Sequence, residues 1–459
     1  MKIEVRLDRK KIDHTNPGDV RLMVSVTAPE IEEAKRKPID AVLVIDVSTS
    51  MTEAAADRPD SPTKLALAKD AAARFVDNLT GRDRVGLVIY SDGAIVLAPV
   101  AELTPVHRRM LGEHIARLAV IGGTNLVEGT LRGLGCMAEL PPNDDRVRRV
   151  MLLTDGLPTV GVAGYANVLK AIQARLDGKT PITTIGFGAT VGSGYDPELL
   201  TAIAKASGGN FYHAEGMDGI LNAFALELGA LRSVAATNVL VAIVPGADID
   251  VKGVYNDLPT SVKDGATIVE LGSLYGGETQ CVVVKLVPPK RDKAFPRDTL
   301  AAKVVVSGVS TVSGAFQKEE RVEFRYVDAN EADTQRDPAV EEQRLRLKAA
   351  RAVKRAYEEA QAGHHQEAAA RIRVIRLALA QFGSPDSQVL VVALEAIELD
   401  IGDPRRFAAR AGEIHATSAS MGTRHTTTMG GVYLKDETYM TPAQRQSQED
   451  MGTKGSSAS

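Results

Sequence analysis

"VLVIDVSTSM", residues 42–51, decides how the rest of the chain is read. Val42 to Ile45 is apolar without alternation, the pattern of a strand buried on both faces of a parallel sheet. The run stops at Asp46, and Ser48 and Ser50 follow at alternate positions. A buried strand therefore delivers one carboxylate and two hydroxyls to its carboxyl end. In open parallel sheets, ligands bind beyond those ends, near the point where strand order reverses.

Two other segments bring oxygen donors to comparable places. "VIGGTNL" (120–126) sets Thr124 behind a glycine pair at a helix start, and "VMLLTDGLPT" (150–159) sets Asp155 at the end of a second buried strand. Pooled, Asp46, Ser48, Ser50, Thr124 and Asp155 are two carboxylates and three hydroxyls, all hard donors with no imidazole or thiolate. Such a set suits Mg2+, with Mn2+ or Ca2+ as alternatives, and not Zn2+ or copper. Three neutral hydroxyls donate little charge, so a cation held this way stays electron-poor and an open position favours an incoming carboxylate. The plain alternative is that Asp46, Ser48 and Ser50 only cap the next helix. That role needs neither Thr124 nor Asp155.

Outward from this stretch, residues 39 to 232 alternate strand and helix. Strand candidates are Ala41–Asp46, Val85–Tyr90, Ile95–Val100, Val150–Thr154, Ile182–Gly186 and Asn210–His213. "TKLALAKDAAARFVDNL" (63–79) has apolar residues on one face at a 3.6 spacing, and further helices read at 105–118, 125–139, 163–176, 197–206 and 216–231. The expected fold is α/β, a doubly wound and mainly parallel sheet covered on both faces. "YSDGA" makes the pair around it a hairpin with one antiparallel strand.

Residues 1–36 and 233–330 read differently, as alternating strands separated by Gly, Pro, Asp and Asn, the mark of an antiparallel sandwich. The N-terminal strands are expected to pair with the later ones, so that residues 37–232 are inserted in a β-sandwich. From 335 to 415 the chain reads as helical hairpins, with Gly363 and Gly383 as terminating glycines. A flexible tail is expected over 416–459, which is rich in Ser, Thr and Gly.

Composition narrows the function. Of 459 residues 44% are hydrophobic, enough for sizeable cores, and Lys+Arg 55 against Asp+Glu 59 gives a formal net charge of -4. That balance and an aromatic content of 4% speak against nucleic-acid binding. Cys136 and Cys281 are read as buried small hydrophobes. A charged N-terminus and the lack of a long apolar run make a soluble, cytoplasmic protein the expectation.

"VLVIDVSTSM", "KLALAKDAAARF", "DRVGLVIYSD", "IGGTNL" and "MLLTDG" resemble, in this order, the von Willebrand factor type A domain and its metal-ion-dependent adhesion site. The resemblance covers about 39–232. It implies Ser48, Ser50 and Thr124 as direct or switchable metal ligands, and Asp46 and Asp155 as ligands directly or through water. The layout of the flanking parts is similar to bacterial and plant proteins whose type A domain is followed by an interaction region with helical hairpins.

A haloacid-dehalogenase-type phosphatase also places an Asp at a strand end, but needs a second carboxylate two residues on, where this chain has Ser48. "VGSGY" (191–195) lacks nucleophile-elbow spacing, "GFGATVG" (186–192) opens no phosphate-binding helix, and His364 and His365 adjoin a turn. Asp92 either supports a metal ligand from behind or stabilises its turn. The loop 51–62 is either a specificity loop or a tolerated insertion. "RHTTTMGGVY" (424–433) is either a modified or partner-docking segment or a plain tail.

The expected function is non-enzymatic: a metal-dependent module that captures an acidic residue of a protein partner and scaffolds or regulates a multiprotein complex. The alternative is an adaptor or chelatase-like subunit working with a partner ATPase or a kinase/phosphatase system. Hydrolysis by the metal site itself has no general base to support it.

Overall fold

The computed structural model describes residues 1–32, 35–55, 60–141, 145–188, 194–214, 216–294, 298–423 and 440–452. "RHTTTMGGVY" lies outside them, as do 56–59 of the loop 51–62 and 191–193 of "VGSGY". The chain divides into two units. One gathers Met1–Lys35, Val234–Pro404 and the described residues of 418–427; the other gathers Arg36–Ser233, Arg405–Thr417 and the described residues of 428–459.

The first unit begins with β1 (Lys2–Leu7), β2 (Lys11–Asp13) and β3 (Val20–Thr27). The chain then enters the second unit, running β4 (Ile39–Asp46), α1 (Lys64–Asp77), β5 (Arg84–Tyr90), β6 (Ala94–Glu102), α2 (Pro105–Ala116), α3 (Leu126–Ala138), β7 (Val147–Thr154), α4 (Tyr165–Gln173), β8 (Ile182–Phe187), α5 (Pro197–Ser207), β9 (Phe211–Ala214) and α6 (Gly216–Arg232). These strands form one sheet ordered β6-β5-β4-β7-β8-β9. Only β5 with β6 is antiparallel. Every residue of β4 is buried, which explains its unbroken apolar run.

After β4 the chain winds one way to β5 and β6, then returns to lay β7 on the other side of β4. Strand order thus reverses between β4 and β7, whose carboxyl ends carry Asp46 and Asp155. One face of the sheet packs Val42, Val44, Val150 and Leu152 against Leu134 and Met137 of α3. The approach is close: a Cβ on Gly129 of α3 would come within 2.5 Å of the Tyr90 ring. Phe75 of α1 meets Phe224 of α6 edge to face, with centroids 5.9 Å apart.

Three strands away from the reversal point, the Tyr195 hydroxyl and His213 Nδ1 are hydrogen-bonded. Burial pushes the imidazole down to about 4. The unfolded histidine takes a proton near 6.5, whereas the folded one stays neutral until about pH 4. Stability from this residue is therefore complete above pH 6.5 and lost as pH falls to 4. The ring keeps some solvent contact, so the loss is at most about 3 kcal/mol. The acid limb of wild-type stability, measured by urea unfolding between pH 7 and 4, is expected to be steeper than that of His213→Gln.

The first unit resumes with β10 (Val234–Pro245), β11 (Asp250–Val254), β12 (Thr260–Lys263), β13 (Ala266–Tyr275), β14 (Thr279–Val287), β15 (Thr299–Ser310) and β16 (Gly314–Val327). Two sheets result, β1-β3-β14-β11 and β12-β13-β10-β15-β16-β2. All their pairs are antiparallel except β16 with β2. Both sheets thus contain N-terminal strands, and Val24, Val241, Val282 and Val304 share their core.

α7 (Pro338–Gln361), α8 (His365–Leu379) and α9 (Pro385–Gly402) follow in the same unit. They are not a region apart, because Val340 and Leu347 of α7 pack on Met23 and Val283 of the sheet. Gly363 ends α7 with φ +89°, a left-handed turn; α8 stops at Leu379, a turn before Gly383. Of the stretch 416–459, read as a flexible tail, residues 416–423 and 440–452 are described and include helices. α10 (Pro404–Thr423) runs on past 415 with Ala411, Ile414, Thr417, Ser418 and Met421 buried, a helical stripe disguised by small polar residues. α11 (Pro442–Asp450) is capped by Thr441 and lies against Gly229 of α6, where an added Cβ would sit 2.4 Å from the Gln444 Cα. Among the described residues no helix is long and apolar enough to cross a membrane.

Candidate metal centre

Asp46, the last residue of β4, is fully buried. Its Oδ1 accepts the Ser48 N–H (2.9 Å), and its Oδ2 accepts the hydroxyls of Thr154 (2.8 Å) and Tyr90 (3.2 Å). Burial pushes its pKa up to about 6; the Asp155 charge adds to this, while hydrogen bonds from Ser48 and Thr154 oppose it. A carboxylate with so little water gains from a nearby cation.

After Asp46 the backbone turns through Thr49–Thr52, and Ser50 Oγ donates to Asp155 Oδ1 at 2.7 Å. Ser50 Oγ and Ser48 Oγ are 3.1 Å apart, so Ser48 donates to Ser50 and the chain of hydroxyls ends on the carboxylate. The loop carrying Thr124 is knitted to this turn. Ile121 N–H donates to Val47 O (2.7 Å), and Thr49 donates to Gly122 O through its N–H (3.0 Å) and its hydroxyl (2.8 Å). Gly122 has φ +64°, and a Cβ there would lie 2.5 Å from the Asp92 carboxylate.

Asp92 Oδ1 accepts the Gly123 N–H at 2.7 Å, so it shapes the glycine pair that precedes Thr124. Thr159 holds the same loop from the other side: its hydroxyl accepts the Thr124 N–H (2.8 Å) and its N–H donates to Thr124 O (3.0 Å). A Cβ built on Gly156 would be 3.5 Å from Ser50 Oγ and 3.7 Å from Thr124 Oγ1, so both hydroxyls face one glycine. Four of the five residues picked from the sequence are thus linked by hydrogen bonds, and Thr124 stands beside them. Its side chain is buried, with no hydrogen bond of its own among the described residues.

Sequence reading passed over Lys64, Glu53, Tyr90, Thr154 and Thr159. Lys64 matters most. It opens α1, and its ammonium donates to Asp155 Oδ2 (2.9 Å) and Glu53 Oε2 (2.5 Å). Burial opposes its charge, but the bonds and charges of Glu53 and Asp155 outweigh that and hold its pKa above the usual lysine value. The sequence carried one faint signal, since a lysine in the first turn of a helix is disfavoured by the helix dipole unless an anion lies nearby.

Among the described residues no group of three or more His, Cys, Asp or Glu side chains is placed to hold a metal ion. A cation at this end of the sheet depends on the hydroxyls. Their chemistry fits a hard cation: three neutral hydroxyl oxygens and two carboxylates.

The von Willebrand factor type A domain model matches residues 41–157, a span that holds all five residues. A UPF0353 protein of Nocardia farcinica is 29% identical over 232 residues, covering 44% of this chain and 66% of the relative. E3 ubiquitin-protein ligase WAV3 of Arabidopsis thaliana is 27% identical over 283 residues, covering 58% of this chain and 33% of the ligase. The chain spans less than two thirds of the length of these curated relatives. A solved von Willebrand factor type A structure from Catenulispora acidiphila superposes with a TM-score of 0.69 at 18% identity, covering 89% of this chain and 96% of the other. With a doubly wound sheet and a matching run of motifs, the stretch 41–157 of this chain is a von Willebrand factor type A domain.

Proposed function

We propose that this protein is a metal-dependent interaction module whose type A domain captures a carboxylate of a protein partner. Domains of this type generally mediate protein interactions. The observation that carries the reading is the run Ser48–Ser50–Asp155, with Thr124 facing the same glycine, at the strand-order reversal of the sheet. Ser48, Ser50 and Thr124 would offer hydroxyl oxygens to a Mg2+-type ion, and Asp46 and Asp155 would supply negative charge. The bound ion would contribute a Lewis-acidic point of attachment for an acid group from outside. Ile121 and Leu157 flank these loops, 55% and 50% exposed, and offer apolar contact beside the charge. Binding, not catalysis, is the role proposed, because Ser48 stands where a phosphatase of related layout needs its acid.

Affinity capture from a native lysate tests this. Wild-type protein in Mg2+ is expected to retain a partner that is released by EDTA, and Asp46→Ala or Ser48→Ala to retain at most about a hundredth as much. The folded circular-dichroism spectrum should persist in Ser48→Ala, which leaves the hydrogen bonds of Thr154 and Tyr90 to Asp46 in place. Capture that ignores both the chelator and the substitutions contradicts the proposal.

A further inference from the structure

Asp155 has two carboxylate oxygens with different duties. Oδ1 takes the Ser50 hydroxyl and Oδ2 takes the Lys64 ammonium. Both residues are buried, with Asp155 0% and Lys64 7% exposed. The lysine stem is confined as well. Gly188 has φ +105°, and a Cβ on it would stand 3.1 Å from Lys64 Cε and 3.4 Å from Nζ. Its backbone is also fixed, since Lys64 N–H donates to Glu53 O at 2.9 Å. The ammonium therefore has two acceptors, Asp155 and Glu53, and little room to leave them.

We infer that Lys64 is the resident counter-cation of Asp155 and sets how strongly the centre holds a divalent cation. The inference rests on the proposed metal-binding reading and adds its regulation. A second cation drawn to the Ser50 side of Asp155 shares that carboxylate with the ammonium and is repelled by it. The repulsion is effective because neither charge is well solvated. Glu53 moderates it: the ammonium can lean toward this second acceptor, whose side chain is 54% exposed and screened by solvent.

A consequence follows for the partner. Asp46, Asp155, Lys64 and a divalent cation together carry one surplus positive charge, which the solvent-screened Glu53 offsets only in part. A partner's carboxylate cancels it. Lys64 thus weakens cation binding to the free protein and strengthens the mutual dependence of cation and partner, a coupling that is equal in both directions.

Titration of the full chain with Mn2+, read by electron paramagnetic resonance of the free ion, tests this. Lys64→Met is expected to bind Mn2+ at least roughly tenfold more tightly than wild type, on the scale of one unit charge removed from a poorly solvated site. Glu53→Gln, which leaves the ammonium an amide oxygen but removes the negative charge that draws it away from Asp155, is expected to bind several-fold more weakly. Melting in EDTA supplies a second readout: Lys64→Met should melt below wild type, its buried Asp155 unpaired, and gain more from Mn2+ than wild type does. A lysine with only a structural role would lower melting temperature and Mn2+ affinity together. Equal or weaker binding by Lys64→Met, with wild type binding normally, overturns the inference and leaves the metal-binding reading intact. Should Lys64→Met not fold, Glu53→Gln decides, and binding unchanged or tightened overturns the inference. If wild type and both variants all fail to bind Mn2+, the metal-binding reading falls, and this inference with it.

Discussion

Asp155→Asn is expected to weaken Mn2+ binding by roughly two orders of magnitude or more. Groups that merely support a metal ligand are worth 10- to 100-fold in affinity, and a charged ligand should exceed them. The Asp155 carboxylate also accepts from both Ser50 and Lys64. An amide keeps the shape but removes the charge, and turns one of its two faces into a donor. Against the Lys64 ammonium that face is repulsive; against Ser50 it reverses the hydroxyl chain. Asp92→Asn is the appropriate control, because the Asp92 carboxylate accepts the Gly123 N–H and an amide oxygen can do the same. It should alter Mn2+ binding by a few-fold at most. Calorimetric titration of both variants checks the pair.

Glu227→Ala is expected to destabilise the type A unit by about 3–5 kcal/mol, the usual cost of removing one partner of a buried ion pair. Glu227 and Arg149 are 0% and 1% exposed, and Arg149 Nε lies 2.9 Å from Glu227 Oε1. The same carboxylate accepts from Thr183 (2.8 Å), Asn210 (2.8 Å) and Tyr212 (3.0 Å). Alanine would strand a guanidinium and three polar groups inside the protein. Arg149→Met combined with Glu227→Met should recover much of the loss, since apolar side chains of similar volume remove the stranded charge. Urea unfolding of the three proteins measures both effects. A Glu227→Ala loss below about 1 kcal/mol would mean that the pair is solvated in solution.

Much of the α/β unit was legible because burial on both faces writes itself as an apolar run. Val42 to Ile45 and Met151 to Leu153 admit few other readings, and each run ends within two residues on an aspartate. Strand ends therefore announced Asp46 and Asp155. Lys64 and Glu227 were not legible in the same way. A charged residue on an amphipathic helix reads as solvated, and only the fold reveals that a β-strand or a loop places an opposite charge opposite it. The C-terminal stretch misled for a related reason. Thr417 and Ser418 are buried, yet a segment of Ser, Thr, Ala and Gly has the composition of a tail and conceals its helical spacing. Likewise, hydropathy showed α7 to be a helix but not what its apolar face covers, which Met23 and Val283 answer from distant parts of the sequence.

A crystal of the full chain soaked in Mn2+ and measured at the manganese absorption edge gives the most direct trial. One anomalous peak is expected beside Ser48, Ser50 and Thr124, with the hydroxyl oxygens at about 2.0–2.3 Å and at least one coordination position left to water or to an acid from a neighbouring molecule. Diffraction that shows no peak there, or an ion enclosed entirely by the protein's own side chains, would contradict the proposal that this surface exists to take a carboxylate from another protein.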